Sequence, residues 1–131
     1  MIVLDASAAI ELLRRSDIGR HVAKLLARDE EDVHIPHLLD VEVAQGLRTL
    51  VRIGELRPAR AGEAIEDLAN LAAIRHAHEG LLPRVWALRD NLTSYDAVYV
   101  ALAEALDAPL LTLDARLARA PGHWARIELL G

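Results

Sequence analysis

The sequence predicts an α/β fold built on a largely parallel sheet. Short apolar runs alternate along the chain with longer segments whose apolar residues recur at helical spacing, which is the pattern of such folds. The 131 residues correspond to one domain that can bury a core of its own. Two of the apolar runs, "MIVLD" (1–5) and "LLTLD" (110–114), lie far apart in the chain and both end in an aspartate.

The elements follow from these two periodicities. Strands are predicted where short apolar runs occur, over 1–5, 33–35, 73–78, 108–114 and 125–130. Helices are predicted where apolar residues recur every three or four positions, over 7–15, about 18–29, 36–53, 59–74, 80–90, 95–107 and 115–119. The chain shows no internal repeat, linker or low-complexity segment, so nothing in it indicates a second domain.

Most of the predicted helices begin at a residue that favours a first turn. Ser7 and Asp17 are expected to cap the first two helices with their side chains. A proline stands in the first turn of the next three, at Pro36, Pro58 and Pro83. The 95–107 helix follows the turn "NLTSYD", in which Thr93 or Ser94 can cap. By itself this pattern is also a capping box that gives Asp96 a purely structural role.

Composition excludes several classes of protein. The net charge of −5 argues against a protein that coats nucleic acid by bulk charge, although 14 arginines are present to contact phosphates. The absence of cysteine excludes disulfides and thiolate metal sites. No secretion signal or transmembrane run is visible, so a cytoplasmic protein is expected. The apolar share of 53% suggests that a partner chain covers part of the surface.

The strand-end aspartates predict a site at one edge of the sheet. Because parallel strands all end at the same edge, Asp5 and Asp114 would meet in one crevice if their strands are neighbours. Asp96 is harder to place. Its helix leads into the strand that ends at Asp114, and a simple antiparallel crossover is expected to put the start of that helix at the opposite edge. Only an oblique crossing would then bring Asp96 to the crevice.

A further acid could come from the segment "LLDVEVAQGL" (38–47). Asp40 and Glu42 are two positions apart, or about 200° around a helix, so they cannot face the same point, and periodicity does not choose between them. Clustered carboxylates repel one another unless a cation neutralises them. Mg²⁺ and Mn²⁺ prefer such oxygen ligands, and sites of this kind hydrolyse phosphodiesters by activating water and stabilising the leaving oxygen.

Three segments carry a family resemblance: "MIVLDASAAIELL", "DVEVAQGLRTL" and "TSYDAVYVALAEALDAPLLTLD". They resemble the PIN-domain ribonucleases, and more narrowly the VapC toxins of bacterial type II toxin–antitoxin pairs. The resemblance covers essentially the whole chain and is weakest over 55–90. It implies a single PIN domain over 1–131, with a three-layer α/β/α architecture and a central, mainly parallel sheet.

The resemblance also implies a set of site residues. Its four acids correspond here to Asp5, Glu42, Asp96 and Asp114. Glu42 rather than Asp40 is thereby selected, and the helix with Asp96 is implied to reach the shared crevice. All four acids are expected to act in catalysis and metal binding, with Asp5 and Asp96 as the principal ligands. Ser7 and Thr112 are expected to orient the carboxylates.

The implied activity is that of an endoribonuclease dependent on Mg²⁺ or Mn²⁺. It would cut structured RNA of the tRNA or ribosomal RNA class and would be inhibited by a cognate VapB-type antitoxin. Homodimers and larger complexes with the antitoxin are implied as well. Arginines at the rim are expected to position the RNA backbone, and the candidates on suitable helices are Arg14, Arg15, Arg48 and Arg52.

Other functions compete with this one. A PIN nuclease without an antitoxin and a non-catalytic PIN-like interaction module share the same fold. A phosphotransfer enzyme is disfavoured because Asp5 is not followed by a second acid two places on. A zinc site is disfavoured because neither histidine pair, 34 with 37 or 76 with 78, has a convincing third ligand nearby.

Overall fold

A computed structural model describes residues 1–28 and 30–131. Within these residues the strands are Ile2–Leu4 (β1), Val33–Pro36 (β2), Ala73–His76 (β3), Leu110–Thr112 (β4) and Ile127–Leu129 (β5). The helices are Ala6–Arg14 (α1), Asp17–Arg28 (α2), Leu38–Arg52 (α3), Pro58–Ala69 (α4), Leu82–Ala87 (α5), Ser94–Leu106 (α6) and Ala115–Arg119 (α7). A 3-10 turn, Glu79–Leu81, precedes α5.

The five strands form one parallel sheet in the order β3-β2-β1-β4-β5. In the central pair, Val3 of β1 is in register with Leu110 of β4. Every residue of β1 and β4 is buried, which explains why both strands are continuous apolar runs. The neighbouring position of β1 and β4 brings their carboxyl ends together, as the sequence predicts.

The helices cover both faces of the sheet. The chain moves in one direction through β1, β2 and β3, and then crosses back to β4. Because such crossovers are right-handed, α1–α4 lie on one face, where α1 contacts α2, α3 and α4. The return connection places α5 and α6 on the other face, and α6 packs on β1 and β2. The predicted three-layer α/β/α architecture is therefore confirmed.

Helix α6 lies deepest in the molecule, because every residue from 97 to 103 is buried. This explains why its sequence is apolar on almost every side rather than along one stripe. None of the helices among the described residues is long and apolar enough to cross a lipid bilayer.

Two of the predicted N-caps are wrong by one or two positions. Asp5, not Ser7, caps α1, since its carboxylate accepts a hydrogen bond from the Ala8 amide. In α2 the Ser16 hydroxyl accepts from the Gly19 amide, and Asp17 lies in the first turn. The predicted last residue of this second helix, Asp29, lies outside the described residues.

Three predicted helix boundaries are also wrong. Pro36 ends β2 instead of opening α3, at a position where its missing N–H interrupts no pairing. The helix predicted over 59–74 ends at Ala69, because the chain enters β3 four residues later. The helix predicted over 80–90 is shortened to α5, with its first turn wound as a 3-10 turn. The strand predicted over 73–78 is present as β3.

Candidate active site

Asp5 lies at the carboxyl end of β1, where it is only 5% exposed. One carboxylate oxygen accepts hydrogen bonds from the Ala8 amide at 3.0 Å and from the Ser7 hydroxyl at 2.6 Å. The other accepts from the hydroxyl of Thr112, which ends β4. Burial raises the pKa of Asp5, as does the charge of Asp114, while the three donors oppose that rise.

Asp114 follows β4 and caps α7. Its carboxylate accepts from the amides of Arg116 at 2.8 Å and Leu117 at 3.4 Å. Its own amide donates to the Thr112 hydroxyl at 3.0 Å. The same hydroxyl donates to Asp5, so one side chain connects the first and fourth predicted acids across the β1–β4 pair.

Ser7 makes a second connection between the two strand ends. Its hydroxyl donates to Asp5 and accepts from the Leu113 amide at 2.9 Å. Ser7 and Thr112 therefore each use one donor and one acceptor to fix the orientation of the Asp5 carboxylate. This is the geometry expected of residues that orient a metal-binding group.

Asp96 lies in the first turn of α6, which Thr93 caps by accepting from the Asp96 amide at 3.2 Å. Burial and the charges of Asp114 and Asp5 raise the pKa of Asp96. The crossover argument that placed this helix start at the opposite edge is wrong. A helix that runs antiparallel to the following strand begins at the edge where that strand ends, so Asp96 and Asp114 share an edge without any oblique crossing.

Glu42 rather than Asp40 faces the other acids. Burial raises the pKa of Glu42, and the charges of Asp96 and Asp5 raise it further. Asp40 points elsewhere and forms a two-pronged ion pair with Arg75, at 3.0 and 3.2 Å. The structure thus resolves the choice that helical periodicity leaves open.

Tyr99 is not among the residues that the sequence predicts for the site. It is almost fully buried, and its hydroxyl donates a short hydrogen bond of 2.5 Å to Glu42. Burial of the ring raises the pKa of Tyr99, and the Glu42 carboxylate raises it further, so the phenol stays protonated as a donor. A sequence signal exists, since Tyr99 follows Asp96 by three residues and so shares its side of the helix.

The four acids are oxygen donors, the ligand type that Mg²⁺ prefers. Among residues 1–28 and 30–131, no three Asp, Glu or His side chains are placed to hold a metal ion together. Mg²⁺ retains several waters and is commonly held by only one or two carboxylates. Burial raises the pKa of Asp5, Glu42 and Asp96, and the charge of at least one other acid of the set raises each further, which is a repulsion that a bound cation relieves.

The arginines predicted for the rim differ in their surroundings. Arg14 lies 3.7 Å from Glu11, and Arg15 pairs with Asp67 at 3.3 Å. Arg48 and Arg52 line an apolar groove between α3 and α4, away from the acids. The sequence prediction missed Arg116, whose charge lowers the pKa of Asp96.

The histidine pairs are arranged differently from the two pairs considered for zinc. His34 Nδ1 lies 2.8 Å from His76 Nε2, so these two rings hydrogen-bond to each other between β2 and β3. Burial lowers the pKa of His34, and the neighbouring His76 lowers it further. The lowered pKa favours a neutral His34 within the sheet.

Known proteins resemble this chain over most of its length. The family model of the PIN domain matches residues 2–123. Ribonuclease VapC9 of Mycobacterium tuberculosis is 45% identical over 117 residues, which are 89% of this chain and 88% of VapC9. Ribonuclease VapC1 of the same organism is 43% identical over 129 residues, covering 98% of this chain and 96% of VapC1.

The fold has solved counterparts as well. A chain in the crystal structure of VapBC2 from Rickettsia felis, bound to a DNA fragment from its promoter, superposes with a TM-score of 0.71. The match covers 100% of both chains at 16% sequence identity, so it speaks for the fold alone. From the domain match and the close relatives together, the chain belongs to the PIN-domain family and, within it, to the VapC ribonucleases.

Proposed function

We propose that this protein, as a single PIN domain over 1–131, is the toxic component of a type II toxin–antitoxin pair. Its activity is the hydrolysis of phosphodiester bonds in structured RNA, of the tRNA or ribosomal RNA class, in the cytoplasm. The observation that supports the proposal is the hydrogen-bond network where β1 and β4 end: Ser7 and Thr112 donate to Asp5, and Thr112 accepts from the Asp114 amide. Asp96 and Glu42 lie near enough for the charge of Asp5 to act on both. The family membership supplies the reaction class.

We assign to the acids the roles that the family resemblance implies. Asp5 and Asp96 are the principal ligands for Mg²⁺ or Mn²⁺, and Glu42 and Asp114 complete the acidic pocket. Asp5 is the most constrained of them, because Ser7, Thr112 and the Ala8 amide fix both of its oxygens. Tyr99 holds Glu42 by a hydrogen bond to one of its carboxylate oxygens. A bound divalent cation would supply an acidified water and would stabilise charge on the phosphate and on the departing oxygen.

The contribution of Asp96 to metal binding can be measured without RNA by comparing the wild type with Asp96→Asn. Mn²⁺ at about a hundred times its Kd should stabilise the wild type by about 2.7 kcal/mol. Asp96→Asn should lose most of that stabilisation, because a principal ligand is gone. Thermal melting with Mn²⁺ and with EDTA measures both effects, and Asp90→Asn removes an exposed charge as the control. An undiminished response to Mn²⁺ in Asp96→Asn would remove that residue from its role.

The same measurements have a defined pH dependence. Folding raises the pKa of Asp5, Glu42 and Asp96, so their favourable contribution is complete below their unfolded values, near 4. That contribution is lost as the pH rises through the folded values. The metal-free wild type should therefore lose stability from these groups as the pH rises above about 4, and Asp96→Asn should lose less. Affinity for Mn²⁺ should change in the opposite sense, because protons compete with the ion.

Tyr99→Phe should test whether the position of Glu42 matters for the reaction. In the wild type the Tyr99 hydroxyl holds Glu42 by a hydrogen bond that lowers the pKa of this acid. Removing the hydroxyl deletes that bond, so the pKa of Glu42 should rise. We expect about 10–100-fold slower cleavage, as for other partners of metal-site residues. The acid side of the pH–rate profile should also move to higher pH. Tyr95→Phe, in the same helix with an exposed ring, is the control and should leave both unchanged. Wild-type rates and an unshifted profile in Tyr99→Phe would contradict this role.

A cognate VapB-type antitoxin is the proposed inhibitor. The supporting observations are the VapC relatives and the full-length fold match to a chain from the VapBC2 complex of Rickettsia felis. We further propose a homodimer that joins the antitoxin in a larger complex.

The support for a homodimer is a patch of exposed large apolar residues beside the acidic crevice. Leu82, Trp86 and Tyr95 are 51%, 66% and 63% exposed and line one groove with Leu38 and Val98. Single exposed apolar residues are common on monomers, whereas a contiguous exposed apolar patch marks a protein–protein interaction site. A monomeric mass by light scattering at micromolar concentration would contradict the dimer.

The deciding experiment for the activity is induced expression in a bacterial host, followed by sequencing of new RNA 5′ ends. Wild-type protein should arrest growth and create a small set of new ends in structured RNA. An Asp5→Asn protein expressed at the same level should create none. New ends that are identical in both cultures, or absent from both, would refute the proposed ribonuclease activity.

A further inference from the structure

Arg116 lies at the edge of the acidic cluster but forms no side-chain hydrogen bond with Asp114. Its Nε lies 3.9 Å from Asp114 Oδ1, which is an electrostatic contact and too long for a hydrogen bond. The side chain is 87% exposed. Its charge acts on Asp96 as well, whose pKa it lowers. The guanidinium is thus close to two of the acids and still has its donors available to a ligand.

The backbone of Arg116 is fixed by one of the same acids. Its amide donates to the Asp114 carboxylate at 2.8 Å as part of the cap of α7. The side chain therefore starts from a defined point next to the cluster, and only the side chain itself must be ordered when a ligand binds. This lowers the entropic cost of using it as a contact.

Arg116 also lines a small cavity that opens beside Asp96. The other walls are formed by Asn91, Leu92, Thr93 and Leu117. The cavity combines a guanidinium and an amide side chain with a carboxylate of the proposed metal site. A phosphate bound there would lie next to the acids rather than on them.

Several other arginines have their guanidinium groups occupied. Arg75 is paired with Asp40, and Arg84 with the nearly inaccessible carboxylate of Glu104. Arg15 and Arg126 pair with Asp67 and Asp107. Arg116 differs from these four because its guanidinium lies 3.9 Å from the Asp114 carboxylate, beyond hydrogen-bond distance, and its side chain is 87% exposed.

We propose that Arg116 binds a phosphate of the RNA beside the bond that is cut. This inference rests on the proposed function, since it names a substrate contact at the same site. Four carboxylates repel a polyanion, so RNA needs a positive group at the rim to bring the scissile phosphate close. A guanidinium supplies paired N–H donors that match phosphate oxygens.

The test measures RNA binding without metal, so that effects on metal affinity do not enter. A fluorescent oligouridylate is titrated with the full chain in EDTA over a series of salt concentrations. Arg116→Ala should bind about tenfold more weakly at low salt. It should also reduce the slope of log affinity against log salt by about 0.7, the loss of one single-strand phosphate contact. Arg116→Lys should keep the slope.

Arg119→Ala is the matched control, because it removes the same charge from an exposed residue of the same helix, α7. It should keep the wild-type slope. Equal slopes in Arg116→Ala and wild type, equal losses in the two alanine variants, or no RNA binding by the wild type would each overturn the inference. If Arg116→Ala shows the reduced slope but the wild type never cleaves RNA with Mn²⁺, the proposed function fails while the contact of Arg116 with a phosphate stands.

Discussion

Replacing Asp5 by asparagine is expected to reduce RNA cleavage by on the order of a thousandfold or more while the protein stays folded. The loss corresponds to about 4 kcal/mol of transition-state stabilisation, a typical worth for a divalent ion at a phosphoryl group. Asp5 is the acid with the most fixed orientation, so its replacement should affect the site more than any other single change. The measurement is the cleavage rate of purified protein with Mn²⁺ on an RNA identified by 5′-end sequencing.

The fold should survive the change because asparagine can keep the structural role of Asp5. Asparagine is as good an N-cap as aspartate, and its side-chain oxygen can accept from the Ala8 amide as the carboxylate does. Circular dichroism and melting in EDTA check this. Asp40→Asn is the matched control, since this acid lies in α3 near Glu42 and pairs with Arg75 instead. Asp5→Asn activity within a few-fold of the control would refute the metal-ligand role.

Replacing Gly19 by alanine is expected to cause the largest loss of stability. A Cβ at this position would lie 1.8 Å from the carbonyl oxygen of Glu11 and 2.5 Å from its carbonyl carbon. Both atoms belong to the backbone of α1, which cannot turn aside as a side chain can. We expect the free energy of unfolding to fall by roughly 3 kcal/mol or more, at the upper end of the cost of overpacking. Urea denaturation measures the change.

Gly62→Ala provides the opposite result in the same assay. Gly62 also lies inside a helix, α4, but a Cβ there would have no atom within 4 Å. The substitution should therefore stabilise the protein by about 0.5–1 kcal/mol, the helix propensity gained over glycine. Similar effects from both substitutions would show that α1 and α2 are not packed backbone to backbone.

The parts of the fold that depend on local patterns were predictable. The all-buried strands β1 and β4 appear in the sequence as apolar runs, and each run ends at an acid. Parallel pairing then requires Asp5 and Asp114 to approach each other. Glu42 was not separable from Asp40 by periodicity, because that choice depends on where α6 presents Tyr99 and where β3 presents Arg75.

The contacts that depend on the direction of and distance between elements could not be predicted from local sequence patterns. The crossover argument by itself puts the start of α6 at the wrong edge of the sheet, and only the family resemblance places Asp96 in the shared crevice. Tyr99 and Arg116 carry no signal in their own segments, since a tyrosine in an apolar helix and one arginine among 14 are unremarkable. Their importance follows only from the neighbours that the fold gives them. The assignment of the four acids as metal ligands stays a prediction until the metal titrations are done.

The bond between Thr112 and Asp5 joins residues 107 positions apart. A chain still emerging from the ribosome makes Asp5 early but lacks Thr112 and Asp114 until β4 has been synthesised. An unfinished product therefore lacks the hydrogen bond to the second oxygen of Asp5 and lacks Asp114. With the roles proposed above, the site cannot form on a growing chain before β4 follows β1, so the proposed activity requires both strands.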